Sequence, residues 1–227
     1  MTLDNNLFTV KDICDFHSIN VLGDSISHGA NAPNIPKDSV VGLLKKAVNK
    51  KWKGNNYGFT SLLCTLSNNH GVYKEIHCCD LSGNWQASEN GNYLGAYVLK
   101  SSNKFDKLVI KPKKAEKYFT VFYEETPQGG SFDILVNGTL VKTISAKADI
   151  TNCVKKTKLI PTNSTSKVQI TIENKNDIPI LITGIGYYNT KTGVVVNNYS
   201  RSGLQLIQVS DDIIKAVCKT DVLIFSL

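Results

Sequence analysis

Three short apolar runs constrain the fold of this chain most. They lie towards the two ends of its 227 residues, at positions 19–22, 194–196 and 221–227. Apolar runs of this kind are typical of strands that are buried inside a parallel sheet. From residue 75 to residue 190 the pattern differs, because short alternating segments are separated there by turn signals. That second pattern predicts a β-sandwich.

The two patterns together predict an α/β fold whose parallel sheet is interrupted by an inserted all-β sandwich. The predicted division is residues 1–74 for the first α/β part, 75–190 for the sandwich and 191–227 for the second α/β part. A domain accepts such an insertion where the two ends of a host loop lie close together.

Local signals place several elements within these parts. Asp38 and Ser39 are suited to cap a helix over residues 40–52, where apolar residues recur at helical spacing. A second helix is predicted over residues 59–66, and a third near residue 210. Asn137-Gly138 predicts a tight hairpin turn. The lysines expected on the outer face of the first helix are Lys45, Lys46, Lys50 and Lys51.

Composition fits an ordinary globular chain, with 41% hydrophobic and 20% charged residues. The formal net charge of +7 bears on association rather than on fold, and no nucleic-acid-binding pattern accompanies it. The six cysteines match no CxxC pair, so buried free thiols are expected. No signal peptide and no transmembrane run is recognised, so we expect a cytoplasmic or virion-associated protein without a membrane partner; a homo-oligomer is compatible with the sequence.

The first apolar run stops abruptly at Gly23-Asp24-Ser25. Ligands of open parallel sheets bind beyond the carboxyl ends of the strands, so Ser25 would lie where a substrate binds. A serine hydroxyl becomes an effective nucleophile only with a neighbouring base and with donors for the developing oxyanion. The alternative is that these are ordinary turn residues, with Asp24 capping the turn through its carboxylate.

The segment VLGDSISHG, residues 21–29, resembles the first sequence block of the SGNH, or GDSL, hydrolase family. VVVNNYSRSGL, residues 194–204, resembles the second block, and DVLIFSL, residues 221–227, resembles the strand before the third block. This resemblance covers roughly residues 17–70 and 193–227. It implies a partial flavodoxin-like sheet and an ester hydrolase without a cofactor. The implied site residues are Ser25 as nucleophile, Gly203 as oxyanion-hole donor and Asp24 as support of the turn.

The first two blocks are separated by a long stretch of sequence. In this respect the chain resembles a subgroup of the family found in phage tail spikes and bacterial polysaccharide esterases. Those members carry an inserted sandwich that resembles a jelly-roll or carbohydrate-binding module. The resemblance therefore implies an acylated, in particular acetylated, poly- or oligosaccharide as the partner. The family's Gly-x-Asn-Asp block and its Asp-x-x-His block are missing. We therefore expect the amino-terminal portion of a longer enzyme that is inactive alone, or a site that another chain completes.

Several other residues are candidates for a functional role. Trp85 and Tyr93 could stack on a sugar or belong to the sandwich core. His28 is expected at the surface or in a supporting role, because a neighbour on the same turn rarely points at the serine hydroxyl. His77 and Cys78 lack metal-ligand spacing, so no metal site is expected. The competing hypothesis for the whole chain is a non-catalytic carbohydrate-binding module on an α/β scaffold.

Overall fold

The computed structural model describes residues 16–30, 32–62, 76–149 and 153–226. These residues are mostly β-sheet with few helices, and they form one partial parallel sheet and two antiparallel sheets. The strands are β1 (Phe16–Gly23), β2 (Gly58–Ser61), β3 (His77–Ser82), β4 (Trp85–Ser88), β5 (Val98–Ser101), β6 (Lys107–Pro112), β7 (Tyr118–Glu125), β8 (Ser131–Val136), β9 (Thr139–Ser145), β10 (Cys153–Lys156), β11 (Ile160–Pro161), β12 (Ile170–Asn174), β13 (Ile180–Tyr188), β14 (Gly193–Asn198) and β15 (Val222–Ser226). The helices are α1 (Ser25–His28), α2 (Ile35–Asp38), α3 (Val40–Trp52) and α4 (Asp211–Val217).

The parallel sheet has the strand order β14-β1-β15, so β1 is its central strand. Its two pairings are parallel, with Val21 opposite Asn198 on one side and Gly23 opposite Ser226 on the other. The three strands therefore end at one edge of the sheet. Helix α3 covers one face of this sheet, where Val41 and Val48 pack against apolar side chains of β1 and β14.

The two antiparallel sheets pack face to face as a sandwich. The five-stranded sheet has the order β3-β6-β12-β8-β9. The seven-stranded sheet has the order β10-β7-β13-β5-β4, with β11 paired to β7 and β2 paired to β13. Apolar side chains from both sheets, such as Ile134, Ile172 and Ile182, form the largest core cluster, and all three are fully buried. Hydrophobic burial on this scale is the main stabilising term of the sandwich.

The seven-stranded sheet is buried on its second face as well, because it packs against the α/β part. Side chains alternate along β7: Phe119 and Val121 point into the sandwich core, whereas Phe122 joins a separate cluster. That second cluster includes Leu22 from β1 and Ile213 from α4. The carboxyl end of the central parallel strand is therefore fixed against the sandwich.

Several predicted elements are confirmed by the structure. Helix α3 begins at Val40, and the Ser39 side chain caps it by accepting a hydrogen bond from the Gly42 N–H at 3.0 Å. The hairpin between β8 and β9 turns at Asn137 and Gly138, both of which have positive φ angles. Helix α4 follows Ser210 as expected. The predicted helix over residues 59–66 is wrong where it is described, because Gly58–Ser61 is strand β2, paired antiparallel with β13.

Three expectations about burial are also wrong. Lys45 is buried rather than on the outer face of α3, since its Nζ donates to the Tyr57 carbonyl at 2.7 Å and lies over the Tyr57 ring; burial lowers the pKa of this lysine to about 7. Strand β15 is not buried on both faces, because it pairs only with β1 among the described strands and leaves Phe225 46% exposed. Cys78 is half-buried and Cys218 is exposed, although both thiols were expected to be buried.

Candidate active site at the carboxyl end of the parallel sheet

Ser25 lies at the first position of α1, directly beyond the carboxyl end of the central strand β1. Asp24 has an extended backbone and caps the short helix, because its Oδ1 accepts a hydrogen bond from the Ile26 N–H at 2.9 Å. The strand therefore ends in a sharp turn that presents the Ser25 residue at the edge of the sheet. Both sequence interpretations of Asp24 lead to this same geometry.

The loop after β14 lies beside this turn and is fixed to it by hydrogen bonds. The Tyr199 N–H donates to the Val21 carbonyl at 2.8 Å, and the Arg201 N–H donates to the Gly23 carbonyl at 3.0 Å. The Asn198 side chain donates to the carbonyl of Ser27 at 3.0 Å. These bonds connect the turn after β1 to the loop after β14, beyond the last paired residues of the two strands.

Gly203 ends this loop and has a φ angle of 77°, in the left-handed region that favours glycine. A Cβ atom at Gly203 would meet no atom within 4 Å, so the backbone conformation, not lack of space, favours the glycine. Ser25 and Gly203 are 178 positions apart in the sequence, yet both line one cavity of about 380 Å³. Apolar residues supply much of the remaining wall: Leu22, Leu204, Leu206, Val209 and Phe225.

His28 is buried, with 3% of its surface exposed, so the expectation of a surface position is wrong. Its Nδ1 lies 2.8 Å from Ser202 Oγ, which joins helix α1 to the residue before Gly203. This contact agrees with the supporting role that was the other expectation. His17 lies at the opposite end of β1 from Ser25, where it contacts Asp221, and His77 lies in the sandwich, where its Nδ1 is 3.0 Å from the Tyr187 hydroxyl.

A second cavity, of about 300 Å³, adjoins the first and shares Gly203 and Leu204 with it. One wall is the segment from Glu89 to Asn92 between β4 and β5, and the other is the loop after β14. Arg201 crosses between these walls and forms an ion pair with Glu89. Sequence reasoning did not assign Glu89 or Arg201 to the site, although the polar run SENGN and the motif NNYSRSG contain them.

The two aromatic candidates lie outside both of these cavities. Trp85 is half-buried and packs against the sandwich core. Tyr93 is also half-buried, and burial together with the charge of Glu124 raises the pKa of its hydroxyl. Among the described residues, no three side chains of His, Cys, Asp or Glu come together as a metal site. No helix in the described ranges is long and apolar enough to cross a membrane.

Comparison with known proteins shows a shared fold. No protein-family model matches the sequence, and no curated protein matches it either. A solved peptidoglycan O-acetylesterase is similar with a TM-score of 0.59 and 19% identity, over 93% of this chain and 55% of that chain. The chain therefore has the fold of that esterase over about half of the esterase's length.

Two carbohydrate-binding modules are also structurally similar to part of the chain. One is the CBM36-1 domain of a multidomain xylanase from the hindgut metagenome of Trinervitermes trinervoides, with a TM-score of 0.39 and 12% identity, over 49% of this chain and 93% of that chain. The other is a family 35 module from Clostridium thermocellum, with a TM-score of 0.39 and 12% identity, over 48% of this chain and 91% of that chain.

Proposed function

We propose that this chain belongs to an SGNH-type serine ester hydrolase that removes acetyl groups from a carbohydrate. One observation carries the proposal: Ser25 and Gly203 line the same cavity at the carboxyl ends of adjacent parallel strands. The parallel order β14-β1-β15, with the first strand in the centre, supports a partial flavodoxin-like sheet. The fold shared with a peptidoglycan O-acetylesterase supports the same class.

In this proposal the Ser25 hydroxyl is the nucleophile. Its oxygen attacks the carbonyl carbon of the ester while a general base accepts the hydroxyl proton. The backbone N–H groups of Ser25 and Gly203 donate hydrogen bonds to the oxyanion that forms. The ester C–O bond then breaks, and the sugar oxygen takes the proton from the base and leaves as a hydroxyl. Water then hydrolyses the acyl-enzyme. None of the described histidines is assigned the role of base, because His17 and His77 lie far from this edge and His28 supports the loop.

The residues around Ser25 fit an ester better than a charged substrate. The side chains of Leu22, Leu204 and Val209 line its cavity and offer an apolar surface to the methyl group of an acetyl ester. In this assignment residues 1–74 and 191–227 belong to the hydrolase part and residues 75–190 to an inserted sandwich. Strand β2 of the first segment extends the seven-stranded sheet of that sandwich. The sandwich reaches the site through its 89–92 segment, whose asparagine side chains can hydrogen-bond to the hydroxyl groups of a carbohydrate.

The test is acetate release by the native gene product from O-acetylated oligosaccharides and from p-nitrophenyl acetate. Ser25→Ala should lower kcat/KM for both substrates by at least about 1000-fold. Ser82→Ala is the matched control, because Ser82 is exposed on β3 in the sandwich, and it should retain activity. Hydrolysis that survives in Ser25→Ala would refute the proposal. A native protein that binds glycans but releases no acetate would instead be a non-catalytic module.

A further inference from the structure

The cavity next to the Ser25 site has two walls that come from different parts of the chain. Gly91 in the first wall packs directly on the backbone of the second, since a Cβ atom there would lie 2.0 Å from the Gln208 carbonyl oxygen. The Ser210 N–H also donates to the Gly91 carbonyl at 3.1 Å. These contacts hold the two walls at a fixed separation, which is a property of preorganised binding sites.

Arg201 lines this cavity and is mostly buried. Its residue is 9% exposed, and the Nη2 group pairs with the Glu89 carboxylate. The Nη1 group is buried and has no hydrogen-bond partner in the described part of the chain. Arg201 therefore brings to the cavity wall a positive charge that the Glu89 carboxylate compensates.

The charges of the cavity cancel. Arg201 and Glu89 are the ionisable residues of its lining, and they form an ion pair with each other. The exposed side chains of Asn90, Asn92 and Gln208 add amide donors, and Asn92 Oδ1 adds an acceptor. Asn90 Oδ1 and Gln208 Oε1 already accept hydrogen bonds from the N–H groups of Asn92 and Gln205. Such a lining matches hydroxyl groups, which donate and accept hydrogen bonds, better than it matches a carboxylate, which only accepts. A volume of about 300 Å³ lies at the lower end of the range for small-ligand sites.

We infer that this cavity, bounded by Glu89–Asn92 and Arg201–Leu204, binds one uncharged sugar unit of the substrate. The unit is the one whose ester group reaches Ser25, because Gly203 and Leu204 line both cavities. This inference rests on the proposed function for its ester. It adds that the inserted sandwich helps to select the substrate and that the selected unit is neutral rather than a uronic acid.

The test compares variants of the native gene product on two kinds of ester. Chemically O-acetylated trimers of N-acetylglucosamine, xylose and glucose are the neutral probes, and p-nitrophenyl acetate is the ester without a sugar. In Asn92→Ala, the ratio of kcat/KM for the best trimer to kcat/KM for p-nitrophenyl acetate should fall about tenfold, because one hydrogen bond to the sugar is lost. Gln86→Ala removes an exposed amide from β4 outside the cavity, and the ratio should not change.

Glu89→Gln tests the charge argument, because the glutamine keeps a hydrogen-bond acceptor for Arg201 but removes the compensating negative charge. The preference for an O-acetylated galacturonic acid trimer over the neutral trimers should rise at least about tenfold in this variant. An unchanged preference would overturn the neutral-sugar assignment. An unchanged ratio in Asn92→Ala, or hydrolysis of p-nitrophenyl acetate without hydrolysis of any neutral trimer, would overturn the site itself.

A binding measurement tests the sugar site independently of ester hydrolysis. The Ser25→Ala protein is titrated with the three neutral trimers, and NMR chemical shifts of the Asn92 side-chain amide are followed. Shifts that saturate would support the cavity as a sugar site even if the native protein hydrolyses no ester. If the native protein hydrolyses esters but Ser25→Ala shows no such shift, the esterase proposal stands and the sugar site is refuted.

Discussion

Substitution of Glu124 on β7 tests whether the interface between the sandwich and the α/β part is closed to water. Its residue is 1% exposed, and neither carboxylate oxygen has a hydrogen-bond partner among the described residues. Its neighbour Phe122 on the same face of β7 belongs to the cluster that joins the two parts of the molecule. Burial raises the pKa of this carboxyl from 4.5 to about 7, since a charge without a partner is unfavourable in that environment.

The size of the effect follows from the difference between the folded and the unfolded pKa. The folded chain binds the Glu124 proton more tightly than the unfolded chain does, so this group supports folding fully below pH 4.5. That support is lost as the pH rises to about 7. A pKa difference of one corresponds to about 1.4 kcal/mol, so the loss amounts to about 3 kcal/mol. Glu124→Gln cannot ionise and should escape it.

The assay is urea unfolding at several pH values between 4 and 8. The free energy of unfolding of Glu124→Gln, relative to the native protein, should increase by about 3 kcal/mol between pH 4 and pH 8. Glu125→Gln is the matched control, because that neighbouring side chain is 19% exposed and lies 3.6 Å from Lys155 Nζ; its change should stay within about 1 kcal/mol. A difference for Glu124→Gln that does not vary with pH would refute the buried, unpaired carboxyl.

Two further substitutions test the supports of the site. His28→Ala removes the contact with Ser202 Oγ, so kcat for p-nitrophenyl acetate should fall about tenfold while KM changes little. His28→Asn should recover part of the lost kcat. A loss as large as that of Ser25→Ala would make His28 a catalytic group. Asn197→Ala removes an acceptor for the Phe59 N–H and a donor to Asn20 Oδ1, so urea unfolding should show a loss of about 3 kcal/mol; a loss below about 1 kcal/mol would contradict the buried network.

Much of the local structure follows from the sequence because it depends on neighbouring residues. The Ser39 cap of α3 and the Asn137-Gly138 turn are set by side-chain and backbone geometry within a few positions. The segment around Phe59 shows the limit of such reasoning. Its apolar spacing suits a helix, yet pairing of Phe59 with Gly186 of β13 makes it a strand. Tertiary pairing overrides the local preference there.

The sequence by itself determined which segments form the parallel strands, since that inference needs only patterns within short stretches. The prediction of Ser25, Asp24 and Gly203 as the site came from the resemblance of two short motifs to the SGNH family. The tertiary structure alone decided that β15 stays partly exposed, that Lys45 is buried, and that Glu89 meets Arg201 across 112 positions of sequence. The physical reason is that such contacts depend on strand order, on register and on how the sheets are layered. These are global properties of the packed chain, which periodicity in a short window does not encode.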